Sequence, residues 1–201
     1  SIMEQKMRRK DREVTAFEEQ ISIVSRCKQV HIGMVEAGKA YIVPLDFGYR
    51  VKEGQLSFYC HSALEGRKIN ILKENPYVTF VLDHSFRIGL GNIPLMWTNA
   101  FESVMGEAKV VFLESQEDKL EATQLLMDRY DMGKIPESVY RTLNHMSCYR
   151  IDVISMTGKS NLTQVQRDTW GMIEDLQRKI NDPTVLLSTI RKDLEALGGN
   201  N

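Results

Sequence analysis

Cysteine is scarce in this 201-residue chain: Cys27, Cys60 and Cys148 are odd in number and widely spaced. That excludes a disulfide framework, and reduced thiols are expected. No apolar run approaches the roughly 20 residues of a membrane-spanning helix. The first residues, "SIMEQKMRRKDRE", have neither the apolar core nor the small-residue cleavage site of a secretion signal. A cytoplasmic protein that does not enter membranes is expected. Charge of one sign is also missing, since 26 lysines and arginines face 27 aspartates and glutamates. No global field recruits nucleic acid, so any anion site is local. His31, His84 and His145 show no metal-ligand spacing, and no Rossmann glycine fingerprint occurs. Neither repeats nor low-complexity tracts occur.

What is present is patterned for a mixed fold dominated by strands. Thr15 stands three residues before Glu18, a capping-box spacing, and Phe17, Ile21 and Val24 follow helical period. "QVHIGMVE", "AYIVPLDFGYR" and "QLSFYCH" then read as three antiparallel strands joined through Ala37-Gly38-Lys39 and Glu53-Gly54. A helix ending before Pro76, the strand "YVTFVLDH", a loop over 85–98 and a long strand "AFESVMGEAKVVFLE" with a bulge or bend at Gly106 follow. Ser115 caps a further helix, and "CYRIDVISMTG" completes six strands, which argues for a closed or partly closed antiparallel barrel. Beyond this, Val165, Met172, Ile173, Leu176 and Ile180 keep helical spacing, and Asp182-Pro183 opens a second helix. Two parts are therefore expected: a barrel over 1–159 and a helical hairpin over 160–201.

The stretch "HSALEGRK", residues 61–68, carries chemistry in either of two ways. Ser62 and Glu65 have capping-box spacing, worth roughly 1 kcal/mol, and a helix start needs nothing more. That reading leaves Gly66 and the adjacent Arg67 and Lys68 unexplained. A hydroxyl, free helix N–H groups and two cations also suit a phosphate monoester, which carries about −1.5 to −2 charges. Spacing alone leaves both readings open. Ser62 lacks the flanking glycines of a nucleophile elbow. Cys60 and His61, as strand neighbours, point to opposite faces and form no dyad.

"QLSFYCHSALEGRKINILKENPYVTFVL" resembles the FMN-binding split barrels of the pyridoxamine 5′-phosphate oxidase superfamily. A hydroxyl ends a strand, an arginine-lysine pair starts a helix, and an Asn75-Pro76 turn leads into the next strand. "MRRKDREVT", "YIVPLDFGY", "FYCHSALEGRK", "ESVMGEAKV" and "SMTGK" are similar to the nitroimidazole-reductase-like members, with coverage from about Met7 to Lys159. The resemblance implies a mainly β fold, a six-stranded antiparallel split barrel with peripheral helices and a C-terminal helical extension. It implies FMN held at its phosphate by Ser62, Arg67 and Lys68, with its ring along the backbone of Pro44 and Leu45 and near Ser103. His61 is the implied proton donor.

The same resemblance implies a homodimer with flavin at the subunit interface, Trp97 in that contact, and electrons passed from a donor such as a transiently bound NAD(P)H to a small acceptor. A nitroaromatic ring is among the acceptors it implies. No counterpart of the arginine- and histidine-containing C-terminal segment of true pyridoxamine phosphate oxidases is found, so vitamin B6 oxidation is not expected. Two alternatives stay open: a non-catalytic flavin-binding module acting through a protein partner, and a heme-binding member of the barrel group, for which no axial ligand stands out.

Overall fold

The computed structural model describes residues 7–86, 99–130, 132–163, 166–167, 172 and 192. The chain divides into two units, Ser1–Asn161 and Leu162–Asn201. The expected C-terminal hairpin, Trp97 and nearly all of the 85–98 loop lie outside the described residues.

Within the first unit, side chains alternate as the sequence requires. In β2 (Val30–Glu36), Val30, Ile32 and Met34 are buried. In β6 (Tyr77–Phe86), Val78, Phe80 and Leu82 are buried while Thr79 and Asp83 face outward. Two-residue turns at Ala37-Gly38 and Glu53-Gly54, with φ between 51° and 75°, close tight hairpins. They join β2 to β3 (Lys39–Leu45) and β4 (Gly48–Lys52) to β5 (Gln55–Ala63). With β7 (Ala100–Leu113) and β8 (Met146–Ser160), the antiparallel order is β3-β2-β6-β7-β8-β5-β4, and the short β1 (Glu13–Val14) pairs with β8.

This order dictates a curled sheet. β3 and β4 lie on opposite edges, yet only Asp46 and Phe47 separate them. In a flat sheet six strand spacings would put those edges about 29 Å apart. The three peptide steps from Leu45 to Gly48 reach at most about 11 Å. The edges must therefore come round to one another, and since no ladder joins them, the barrel is split. The continuous strand expected over "AYIVPLDFGYR" is accordingly two strands. Phe47, fully buried, turns into the interior at the break and packs edge-on against Phe58, with ring centroids 5.4 Å apart. That break and β1 account for eight strands where six were expected.

The interior is filled by Ile32, Phe47, Leu56, Phe58, Phe80, Leu82, Val104 and Ile151 among others. Helix α1 (Phe17–Arg26) adds Ile23 and Val24. Helix α3 (Gln116–Arg129) covers outer-face residues Tyr59 and Cys148 with Ala122 and Leu125. Its expected cap is present, Ser115 Oγ accepting from Asp118 N at 3.1 Å. The expected box at α1 is not: Ala16 is the N-cap and no side chain caps it, because the helix begins two residues after Thr15.

Candidate functional site

The expected cap at the next helix is also absent. Ser62 still belongs to β5, and α2 runs only over Arg67–Glu74, with Gly66 as its N-cap and no side-chain cap bond. Gly66 has φ 143° and ψ 165°, a backbone conformation that strains residues carrying a Cβ. The glycine is there to turn the chain sharply from strand into helix. Freed from capping, the Ser62 hydroxyl has another environment.

β5 and β8 pair so that Cys60 faces Tyr149 and Ser62 faces Ser147. Cys60 and Tyr149 are almost wholly buried, and strand alternation puts Ser62 on their face. The Ser62 and Tyr149 hydroxyl oxygens are both buried and have at most each other as hydrogen-bond partners. Lys68, from the first turn of α2, places Nζ 5.9 Å from the Tyr149 ring centroid. Among the described residues no carboxylate is paired with that ammonium. Desolvation holds the Lys68 pKa below the ordinary lysine value, against a small opposing pull from Cys60. A half-buried cation without a carboxylate partner among the described residues thus lies over the ring of Tyr149, whose buried hydroxyl is near that of Ser62, a set of donors suited to an anion.

Arg67 leaves this cluster. Its guanidinium sits 4.2 Å from the Tyr41 ring centroid, and Nη2 lies 2.6 Å from Glu36 Oε2. It thus binds the β2–β3 hairpin, with side chain and partner both well exposed.

His61 points to the other face of β5 from Ser62 and is exposed. Desolvation lowers its pKa from the ordinary histidine value; the Asp46 carboxylate opposes that shift and the Lys68 cation adds to it. Those influences put His61 within electrostatic range of the β3–β4 break. Pro44 lies on the edge strand, outward and directly across from His31, while Leu45 packs inward. A proline at a sheet edge forfeits no interior ladder bond. The His31 Nδ1 beside it has no hydrogen-bond partner. Ser103 lies outward on β7 between Asp83 and Lys159. Three strand spacings, about 14 Å, separate it from the Pro44 strand. Within one chain the structure joins Ser62 and Lys68, and leaves Arg67, His61, Pro44 and Ser103 around them or on the outer face.

Two features escaped the sequence reading. Tyr149 read only as part of the strand "CYRIDVISMTG"; a phenol on a core face needs a polar partner, and that was the available signal. The second is a buried cluster elsewhere. Glu102, fully buried, accepts from Arg26 Nε at 2.5 Å and Nη2 at 2.9 Å, and meets His84 Nε2 at 3.0 Å. Burial pushes its carboxyl up, but the hydrogen bonds and charges of His84 and Arg26 outweigh this and hold it below the usual carboxylate range. All three cysteines are free and buried, and desolvation pushes Cys60 up to about 12. Among the described residues there is no cluster of metal ligands, and no helix is long and apolar enough to cross a membrane.

The architecture is that of a split β-barrel protein in which Ser62, Lys68 and Tyr149 cluster where β5 gives way to α2. Residues 17–160 match the family model described as pyridoxamine 5′-phosphate oxidase, and the chain belongs to that family. Among solved structures it is similar to a protein from Bacteroides thetaiotaomicron assigned to 5-nitroimidazole antibiotic resistance. The identity is 25% and the TM-score 0.64, covering 74% of this chain and 86% of that one. A flavocytochrome from Azotobacter vinelandii shares the fold at 15% identity and TM-score 0.64, over 81% of this chain and 75% of that one. An FAD- and heme-binding protein from Mycobacterium smegmatis does so at 15% and 0.61, over 80% of each. No curated protein matches the sequence.

Proposed function

We propose that this protein binds a flavin nucleotide, FMN, by its phosphate and serves as an oxidoreductase for a small acceptor, nitroaromatic compounds among them. The observation that carries the reading is the Ser62–Lys68–Tyr149 cluster: a partly desolvated ammonium, with no carboxylate partner among the described residues, over the ring of a tyrosine whose buried hydroxyl has at most that of Ser62 as a partner. A terminal phosphate supplies the charge and the acceptor oxygens such a cluster needs. Family membership and the names of similar structures, which include FAD-binding proteins and one tied to nitroimidazole resistance, point to a flavin as its carrier. When bound, the flavin supplies two-electron redox chemistry, and the protein supplies binding, orientation and access.

In this reading Lys68 and Ser62 hold the phosphate, and Arg67 joins them on leaving Glu36. The ring lies along Pro44 and Leu45, where the edge strand ends and the barrel is open. His61, drawn toward neutrality by desolvation and within range of Asp46, is placed to exchange a proton with the acceptor. The outer face carries a row, apolar except for His31, that supports a homodimer closing over the ring: Pro44, His31, Val81 and Met105 are consecutive cross-strand neighbours. Met105 on that row is 55% exposed and Ile42 beside it 63%. Ser103 then meets the ring from the second subunit. A reduced nicotinamide visits as a transient donor.

The test is the absorption spectrum of the purified protein and titration of the flavin-free form with FMN, FAD and riboflavin, followed by anaerobic addition of NADH or NADPH and then a nitroimidazole. Bleaching by donor and recovery with the nitro compound is expected. A bound flavin inert to every donor overturns the reductase and leaves a flavin-binding module. Absence of flavin binding overturns the whole reading.

A further inference from the structure

Tyr149 has no role in the reading above beyond its place in the cluster, yet its position is unusual. The residue is fully buried, its ring tilts against Phe112 with centroids 5.8 Å apart, and its hydroxyl has at most that of Ser62 as a partner. A phenol used only for packing would be replaced without loss by phenylalanine, which carries no polar atom to desolvate. The nearest hydroxyl, on Ser62, is equally unsatisfied. Two adjacent buried hydroxyls that have at most each other as partners keep at least one O–H donor for a third group. What covers the ring is the Lys68 ammonium on a flexible four-carbon stem, which moves readily towards an arriving anion.

We propose that the Tyr149 hydroxyl is the floor of the phosphate socket: when a phosphate monoester enters, Lys68 turns onto it and Tyr149, with Ser62, donates a hydrogen bond to its oxygens. The inference rests on the flavin reading for the ligand that carries the phosphate. Burial raises the Tyr149 pKa above the ordinary tyrosine value, so the hydroxyl keeps its proton throughout the working range and serves as a donor. Tyr149 reaches the cluster from β8, while Ser62 comes from β5 and Lys68 from α2. The socket is thereby assembled from three elements, two of which are locked together by the β5–β8 ladder.

The experiment compares Tyr149→Phe with the unaltered protein in two ligand titrations, FMN and riboflavin, and in thermal melting of the flavin-free form. A hydrogen bond to a charged group implies FMN affinity lower by at least about tenfold. Riboflavin, which has no phosphate, binds both proteins equally. The melting temperature of the flavin-free variant falls by no more than about 4 °C, the equivalent of one neutral hydrogen bond, because the deleted oxygen has at most the Ser62 hydroxyl as a partner. Equal FMN affinity in variant and parent overturns the assignment alone. So does an equal loss for riboflavin, or a larger fall in melting temperature, since either marks Tyr149 as structural. A parent protein that takes up riboflavin and FMN with the same affinity also overturns it, since the socket then adds nothing. Failure of the parent to bind any flavin overturns the underlying reading and this inference with it.

Discussion

Arg67 is held between Tyr41, whose ring centroid lies 4.2 Å from the guanidinium carbon, and Glu36, whose carboxylate is 2.6 Å from Nη2. The two cations that are adjacent in sequence therefore do different things in space: Lys68 turns to the barrel interior and Arg67 to the β2–β3 hairpin. Magnitudes decide whether that arrangement survives a ligand. An exposed ion pair contributes about 0–1 kcal/mol, and an exposed cation–π contact about 0.5–1 kcal/mol. A charge-assisted contact to phosphate contributes about 1.5–3 kcal/mol. Arg67 is thus expected to leave Glu36 for the phosphate, but at a cost.

That cost can be measured. Glu36→Gln removes the competing charge and leaves the hairpin intact, so FMN affinity is expected to rise up to about fivefold, the equivalent of roughly 1 kcal/mol. Arg67→Ala is expected to weaken FMN less than Lys68→Ala, because Lys68, unlike Arg67, has no carboxylate among the described residues to give up. Isothermal titration of the three variants checks both statements. Unchanged affinity in Arg67→Ala would show that Arg67 does not take part in binding.

Glu102 gives a stability prediction that does not depend on any ligand. Its carboxyl has a lower pKa in the folded chain than in the unfolded one, so its contribution is complete above the unfolded value. It is lost as pH falls through the lowered folded value. Glu102→Gln leaves Arg26 largely buried opposite a neutral amide and is expected to cost about 3 kcal/mol near neutral pH. In urea melts at several pH values the variant and the parent should converge as the solution becomes acidic. A constant gap between them would contradict the assignment.

Much of the barrel was legible because its strands are half-buried and alternate: the inward Val78, Phe80 and Leu82 of β6 follow from period two alone. What could not be read is where tertiary closure overrides local pattern. "AYIVPLDFGYR" is uniformly strand-like, and only the return of the sheet on itself breaks it at Asp46-Phe47. The capping spacings at Thr15 and Ser62 failed for a related reason. Each hydroxyl remains in extended chain near a strand pairing, β1 in one case and β5 in the other, and strand pairing outweighs a cap worth about 1 kcal/mol. Of the candidate site, Ser62 and Lys68 were found from spacing and resemblance. Tyr149 lies nearly 90 residues on and joins them only through the β5–β8 register.

Gly106 illustrates the same limit. Its strand context suggested a bulge or bend, and the register shift lies just beyond, between Glu107 and Ala108, where β8 carries the extra residue Ile154. The glycine itself answers to a closer constraint: a Cβ there would collide with the Ser155 carbonyl of β8, with the next atoms at 2.8 Å. Backbone cannot yield as a side-chain tip does. Gly106→Ala is expected to destabilise the protein by about 1–3 kcal/mol, the range for overpacking, read as a lower urea midpoint with unchanged slope. A neutral result would mean that β7 and β8 separate more easily than their pairing implies.

Lys68 and His61 together fix the pH behaviour expected of the proposed activity. The Lys68 ammonium is the binding form, and desolvation has lowered its pKa, so FMN affinity should fall as pH rises through a value below that of an ordinary lysine. A bound phosphate opposes the shift, and the fall should therefore move to higher pH at saturating FMN. His61, whose pKa is also lowered, can donate a proton only on the acid side of the ordinary histidine value. Reduction of a nitro acceptor should consequently slow as pH rises through that lowered value. His61→Gln should abolish this pH dependence while leaving FMN affinity intact, because His61 faces away from Ser62. Steady-state rates across pH, taken with FMN titrations on the same samples, separate the two groups: a variant whose pH profile matches the parent's would remove His61 from the chemistry, and one that lost FMN would place it in the socket instead.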